Sequence, residues 1–236
     1  MRRMILAILF MAPFCGAVAS NNINIAALNQ GQFSDLSHDM TAVTSYKQLS
    51  AATSEGLLGF NLGFAYTLTN VAHSSAWDAA SNSSLSSVSL AQVSISKGLP
   101  FDFDVGGYYG YSPNTNIKVY GVELRYAILN GGLVEPALGI RATYNWLTGV
   151  NQLTYSNHSL GLTLSKGFGP LTPYVGIGQV WVSSDPEAST GLQNESFNAN
   201  QVFAGFRLSL AIMNLTMEAD RTAGNNTYGV KLAFGF

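Results

Sequence analysis

Leu58-Gly59-Phe60-Asn61-Leu62-Gly63-Phe64-Ala65-Tyr66-Thr67-Leu68 sorts its residues by parity: every even position is leucine, phenylalanine or tyrosine, and every odd one is small or polar. A helix would scatter the two sets around its circumference, whereas a strand sends them to opposite faces. The same division recurs along the chain. Tyr120, Val122, Leu124, Tyr126 and Ile128 alternate with Gly121, Glu123, Arg125 and Ala127, and Leu138, Ile140, Ala142, Tyr144 and Trp146 alternate with Gly139, Arg141, Thr143 and Asn145. The last segment is the cleanest, with Tyr228, Val230, Leu232, Phe234 and Phe236 set against Gly229, Lys231, Ala233 and Gly235. Read in this way, strands fall near 57–71, 84–97, 101–112, 117–129, 137–147, 153–168, 173–184, 198–211, 214–222 and 227–236. The pattern predicts an all-β fold, an antiparallel up-and-down transmembrane β-barrel of about ten strands, with eight and twelve as the neighbouring even counts.

Composition agrees with a sheet that has two unlike faces. Charged residues make up 10% of the chain and hydrophobic residues 47%, with 24 glycines, whereas a soluble domain carries about 25% charged residues. No later stretch is long and apolar enough for a membrane-spanning helix, which needs about 20 residues. Met1-Arg2-Arg3, the apolar run Met4 to Phe14 and the small residues Gly16 to Ala19 have the order of a secretory signal, so residues 1–19 are expected to be cleaved. Removing them takes Arg2 and Arg3 and leaves nine basic side chains against 13 acids, a formal charge of −4. Such a balance excludes a nucleic-acid partner recognised by charge. The single cysteine, Cys15, falls in the discarded run, which leaves no thiol for a disulfide, a nucleophile or a metal.

Residues 20–56 form a separate N-terminal segment before the barrel at 57–236. Ser34 or Asp35 would cap a helix beginning near Phe33, yet Met40, Ala42, Thr44 and Tyr46 also alternate as in a strand, so either reading is open. The segment lies in the periplasm or folds into the lumen as a plug.

Tyr228-Gly-Val-Lys-Leu-Ala-Phe-Gly-Phe236, together with the N-terminal signal, resembles the C-terminal assembly signal of bacterial outer-membrane β-barrel proteins. The match lies at Tyr228, Val230, Leu232, Phe234 and Phe236. The resemblance implies an outer-membrane location, recognition by the barrel-assembly machinery, and contact with outer-membrane lipid including lipopolysaccharide. It singles out no subfamily. In such barrels both chain termini and the short turns face the periplasm, which places 98–100, 169–172 and 212–213 inside and the longer connections 72–83 and 185–197 outside.

Parity also assigns the charges. Asp102, Asp104, Glu123, Glu218 and Asp220 point inward against Arg125, Arg141, Arg207 and Lys231, a near-balanced set expected to pair with itself, since an unpartnered charge in a confined interior is costly. Counting back from a turn at 212–213 sets Arg207 opposite Glu218, with Lys231 near the same carboxylate, and Glu123 diagonal to Arg141. Ten strands enclose less than a sixteen-stranded porin and more than a filled eight-stranded barrel. A structural barrel or a narrow small-solute pore follows; the alternative is a transporter of apolar ligands closed by an N-terminal plug.

Enzymatic chemistry finds little support. Omptin-type proteases, similar in strand number, use acid pairs near the outer rim, whereas Asp102 and Asp104 sit at the inner end. His158-Ser159 has no carboxylate beside it in sequence, and His38, His73 and His158 show no metal-ligand spacing. No catalytic residue, metal site or cofactor is therefore assigned. Lys97 and Lys166, in the matching runs Ser94 to Pro100 and Thr163 to Pro170, share parity with the outward apolar residues and are expected to snorkel at the inner membrane boundary. Trp146 and Trp181 are candidates for an interfacial girdle, and Lys118 for a lipopolysaccharide phosphate.

Overall fold

The computed structural model describes residues 21–47, 49–132 and 134–235; the expected signal segment, residues 1–19, and Phe236 of the C-terminal motif lie outside them. Ten antiparallel strands close into an up-and-down barrel: β1 (Phe60–Asn70), β2 (Ser87–Gly98), β3 (Phe103–Tyr111), β4 (Lys118–Asn130), β5 (Ala137–Thr148), β6 (Leu153–Ser165), β7 (Leu171–Pro186), β8 (Glu195–Leu210), β9 (Met213–Thr222) and β10 (Asn225–Gly235). Each pairs with its chain neighbour and β1 closes on β10 through Asn61↔Gly235 to Asn70↔Asn226. One bulge interrupts the ladder, between Ala127 and Leu129 of β4. Closure leaves no unpaired strand edge, which a sheet facing lipid cannot tolerate.

The outer face follows the alternation. Phe64, Tyr66, Val122, Leu124, Leu160, Leu162, Val175 and Ile177 are all exposed on it. Near one end it becomes aromatic: Tyr120 stacks on Trp146 at 5.7 Å between ring centres, with Tyr109 at 5.0 Å on its other side. Trp181 stacks on His158 at 5.3 Å. We call this end the upper rim. It carries the long β1–β2 connection, which contains helix α2 (Ser74–Ser81) where the sequence suggested only a loop. The lower rim holds the start of β1, the end of β10 and four turns, β2–β3, β4–β5, β6–β7 and β8–β9.

The interior is occupied by the chain's own N-terminal segment, which threads the barrel from top to bottom. Asn21 and Asn24 bridge to Thr115 and Asn151 in upper connections, and Ile23 N donates to Asn116 Oδ1 at 2.8 Å. Helix α1 (Gln30–Thr44) then descends, closed at its start by a capping box in which Asn29 and Gln32 bond reciprocally. The cap is thus Asn29, several residues before the expected Ser34 or Asp35, and the strand reading of Met40 to Tyr46 is corrected. At the bottom, Ser54 N reaches Asn130 Oδ1 at 3.2 Å, and the chain turns out into β1.

From Asp39 to Thr44 helix α1 is buried on every side, while its first turns are partly open to solvent. Phe33, Leu36, Met40 and Val43 form a stripe at 3–4 residue spacing, packed with inward-facing Val88, Leu90, Val119, Leu147, Val180 and Val182. Complete burial of such side chains is worth about 1.5–3 kcal/mol each. The remaining faces are polar and matched by the wall: Ser37 to Ser184 at 2.8 Å, Thr41 to Tyr155 at 2.9 Å, and Asn157 donating to Thr44 at 2.9 Å. The upper lumen is therefore largely apolar, which corrects the expectation of a polar interior throughout. Its aliphatic lining exists because a helix, and not water, fills it.

Candidate functional site

Below α1 the segment loses regular structure and the wall becomes charged. Glu123 and Arg125 of β4, Arg141 of β5, Arg207 of β8, Glu218 and Asp220 of β9 and Lys231 of β10 all project inward at this level, with Asp104 of β3 near the lower rim. Asp102 does not join them: it lies exposed in the turn before β3.

The principal partners come from the plug. Lys47 Nζ donates to Asp220 Oδ1 at 2.7 Å, both side chains almost wholly shielded from solvent, and Gln201 and Thr222 donate to the same carboxylate. Glu55 meets Arg125 Nη2 at 2.8 Å and accepts from Ser96 at 2.6 Å. Arg125 also lies 3.4 Å from Asp104, whose Oδ1 accepts from the Glu55 N–H at 3.0 Å. Ser50 Oγ accepts from both Arg125 and Arg141. Arg141 Nε stands 3.1 Å from Glu123 Oε2, the diagonal pair read from the alternation, and its guanidinium lies 4.9 Å from the Tyr46 ring centre. Tyr46 in turn makes an edge contact with Tyr108 at 4.8 Å.

The expected Arg207–Glu218–Lys231 bridge does not form. The β8–β9 turn is Ala211-Ile212, with Ala211 in the left-handed region at φ 55°, so Leu210 pairs with Met213. Moving the turn by one residue moves the register by two. Arg207 therefore faces Thr216 and Glu218 faces Gly205, while across β10 Lys231 also faces Thr216. Glu218 instead accepts from Leu49 N at 2.9 Å and Tyr174 OH at 2.8 Å. Gly205 opposite it is necessarily small, since a Cβ there would sit 2.4 Å from the Met217 carbonyl oxygen and 2.6 Å from the Tyr174 ring.

Lys97 and Lys166 occur at the lower rim, but their amines turn onto backbone. Lys97 donates to the Leu57, Gly59 and Gly98 carbonyls, and Lys166 to those of Gly132 and Glu135. They pin neighbouring turns together, because several carbonyls converge within reach of each stem. Lys118 stands exposed at the upper rim beside Tyr111 and Thr148. Tyr228, Val230 and Leu232 point outward on β10.

Lys47, Glu55 and Tyr46 were not singled out by sequence reading. The available signal was that residues 20–56 carry Lys47 and Glu55 eight apart with opposite sign, beside a lumen whose charges had no certain register.

At the upper rim α1 meets α2 through a second buried carboxylate. Asp39, fully buried, accepts from His73 Nδ1 and His73 N at 2.9 Å each, from Trp77 Nε1 at 3.1 Å and from Asn225 Nδ2 at 3.0 Å. Asp35 lies 3.7 Å from His73 Nε2. Among the described residues no three His, Cys, Asp or Glu side chains gather as a metal site.

No family model and no curated relative matches the chain. Among solved structures it is similar to the N-terminal β-barrel domain of Pseudomonas aeruginosa OprF (11% identity, TM-score 0.37, covering 77% of this chain and 99% of that one). It is similar also to the KdgM porin (8%, 0.39, 75% and 99%) and to Neisserial surface protein A (11%, 0.35, 75% and 95%).

The hydrogen bond from His73 to Asp39 raises the imidazole pKa above its ordinary 6.5, against partial burial that lowers it, with further help from the charges of Asp39 and Asp35. A raised folded pKa means that the contribution is complete below about pH 6.5 and is lost as pH climbs through the folded value. Hydrogen exchange of the α2 amides, corrected for intrinsic rates, is expected to quicken between pH 6 and pH 9. Asp39→Asn should remove that step; an unchanged step in the variant would contradict the assignment.

Proposed function

We propose that this chain is a non-enzymatic bacterial outer-membrane barrel, held shut by its own N-terminal segment, that passes small solutes narrowly when the segment shifts. The supporting observation is the threading itself. A chain that enters at the upper rim and leaves at the lower one fills the lumen along its height, and it is fastened by wall charges that would otherwise lie buried and unpaired. The apolar belt, the upper aromatic girdle and the alternation of β10 support a lipid-facing wall. The secretory signal and the C-terminal motif support the outer membrane as its location and the barrel-assembly machinery as a partner during biogenesis.

Hydrolytic roles draw less support, because the carboxylates that a nucleophile or base would need are engaged in holding the plug. A transporter of apolar ligands is also the weaker reading. The apolar part of the lumen is packed with α1, and two of the spaces left around the plug, one beside Ala52 and Gly139 and one beside Tyr46 and Tyr108, measure about 10 Å³ each.

Planar-bilayer recording provides the direct test. The full chain should be nearly silent. The double charge reversal Lys47→Glu with Glu55→Arg, which sets like charges against Asp220 and Arg125, should produce discrete openings, as should removal of residues 21–56. Silence in all three would leave a purely structural barrel and defeat the pore. Threading makes a second prediction: since the mature chain carries no cysteine, Asn22→Cys, at an exposed upper position, should react on intact cells with a membrane-impermeant maleimide. Labelling only after the outer membrane is permeabilised would reverse the orientation. Lys118, level with the girdle, is suited to a lipopolysaccharide phosphate; Lys118→Glu should weaken lipopolysaccharide co-purification, and equal recovery would remove that contact.

A further inference from the structure

The connections of the upper rim keep their large apolar side chains inside. Trp77, Leu85, Ile117 and Val150 are buried, and among the described residues no large apolar side chain is exposed in 71–86, 112–117, 149–152, 187–194 or 223–224. The lower rim does the reverse. Leu58 before β1, Phe101 in the β2–β3 turn, Val134 in β4–β5, Phe168 in β6–β7 and Ile212 in β8–β9 are all exposed, the first three by 87% or more against 47% for Leu124 on the wall. Single exposed apolar residues are ordinary on a protein surface, but a ring of them at one end marks an interaction surface.

Two of these tips rest on backbone that an L residue adopts at a cost. Phe101 and its neighbour Asp102 have φ 62°, and Ala211 beside Ile212 has φ 55°, in the left-handed region where a bulky residue is an outlier. Packing inside the protein does not offset this at Phe101, whose side chain stands clear of the barrel. The ring is also continuous with the apolar wall. Phe101 leads to Phe103, which packs against Tyr126 at 4.7 Å between ring centres; Phe168 bridges to exposed Leu171; Ile212 follows exposed Leu210 after one residue. At this level Lys97 and Lys166 bond to turn carbonyls, which satisfies backbone acceptors where water is scarce.

Height decides what covers the ring. On β4 the outward apolar residues run from Tyr120 to Ile128, eight residue steps of about 3.4 Å that a tilt of about 40° reduces to about 21 Å. The apolar band of such barrels is about 25 Å tall, so the strand alone falls short by about 4 Å. Exposed Lys118 closes the band above, and only the lower tips can complete it. We propose that the ring is a lipid-anchoring surface: Leu58, Phe101, Val134, Phe168 and Ile212 are immersed at the acyl boundary of the leaflet on that side and fix how deep the barrel sits. The partner is the phospholipid of that leaflet, the inner one in the orientation proposed above. The inference rests on the reading of the wall as lipid-facing and is independent of conduction.

The test uses the full mature chain in vesicles of phosphatidylethanolamine and phosphatidylglycerol. Without residues 1–19 it has no cysteine, so spin labels report single sites: Phe101→Cys, Val134→Cys and Phe168→Cys on the ring, Val122→Cys on the wall and Ser189→Cys in an exposed upper connection. Collision with dissolved oxygen, which concentrates among acyl chains, is compared with collision with a water-soluble nickel chelate present on both sides of the vesicle. The ring labels should follow Val122→Cys, with nickel accessibility several-fold below that of Ser189→Cys. In the triple variant Phe101→Ser, Phe168→Ser and Ile212→Ser, nickel accessibility at Val134→Cys should rise as the rim lifts out; an unchanged value would remove the role in setting depth. Ring labels as open to nickel as Ser189→Cys, with Val122→Cys still shielded, would overturn the anchor alone and leave the ring to a protein partner. Nickel reaching Val122→Cys as well would overturn the lipid-facing wall and the anchor together.

Discussion

The structure depends on the match between the inner face of the barrel and a chain that must run through it. A ten-stranded wall has too much interior for its own side chains to fill and too little for a wide water channel. The N-terminal segment resolves this by filling the height of the lumen, and the inward residues at each level are complementary to the part of the segment that passes there. Where α1 passes, the wall presents valine, leucine and tyrosine; where the irregular chain 45–56 passes, it presents arginine and carboxylate.

The two levels are held by different physics. Around α1 the gain is apolar burial, and each polar group of the helix that touches the wall has a hydroxyl or amide opposite it, so little is left unpaired. Around residues 45–56 the contacts are side-chain ion pairs and hydrogen bonds to backbone N–H groups. Removing one member of such a buried pair costs about 3–5 kcal/mol, while the intact pair contributes little net stability over an apolar replacement. The charged level therefore specifies where the plug sits more than it stabilises the barrel.

The outer face was legible in the sequence because lipid imposes one rule on every strand, and parity alone reports it. Strand number, order and the inward assignment of Glu123, Arg125 and Arg141 followed from that rule. The plug was less legible for a physical reason: Phe33, Leu36, Met40 and Val43 have helical spacing, but Met40, Ala42, Thr44 and Tyr46 overlap them with the alternation of a strand, and the polar residues between them are buried as well, so no exposed polar face marks the helix. Register was the other failure. Alternation is unchanged by a shift of two residues, so nothing in β8 or β9 distinguishes a turn at 211–212 from one at 212–213. Only the left-handed backbone of Ala211 decides it, and with it whether Arg207 meets Glu218 or Thr216.

That single turn carries consequences for the interior. With the later turn, Glu218 would face and neutralise Arg207, while Lys231, whose register is set by the β9–β10 turn, would still face Thr216. With the observed turn, Glu218 is drawn to Leu49 and Tyr174 and helps to seat the plug, while Arg207 remains beside open volume. Beyond Ser45 the described residues of the segment up to Gly56 lie outside any helix and are bordered by that volume, whereas the lower half of α1 above them is packed on all sides. Any rearrangement that opens a path meets the lower resistance at the charged end, so the lower rim is where the barrel yields first and α1 is the anchor from which it does so.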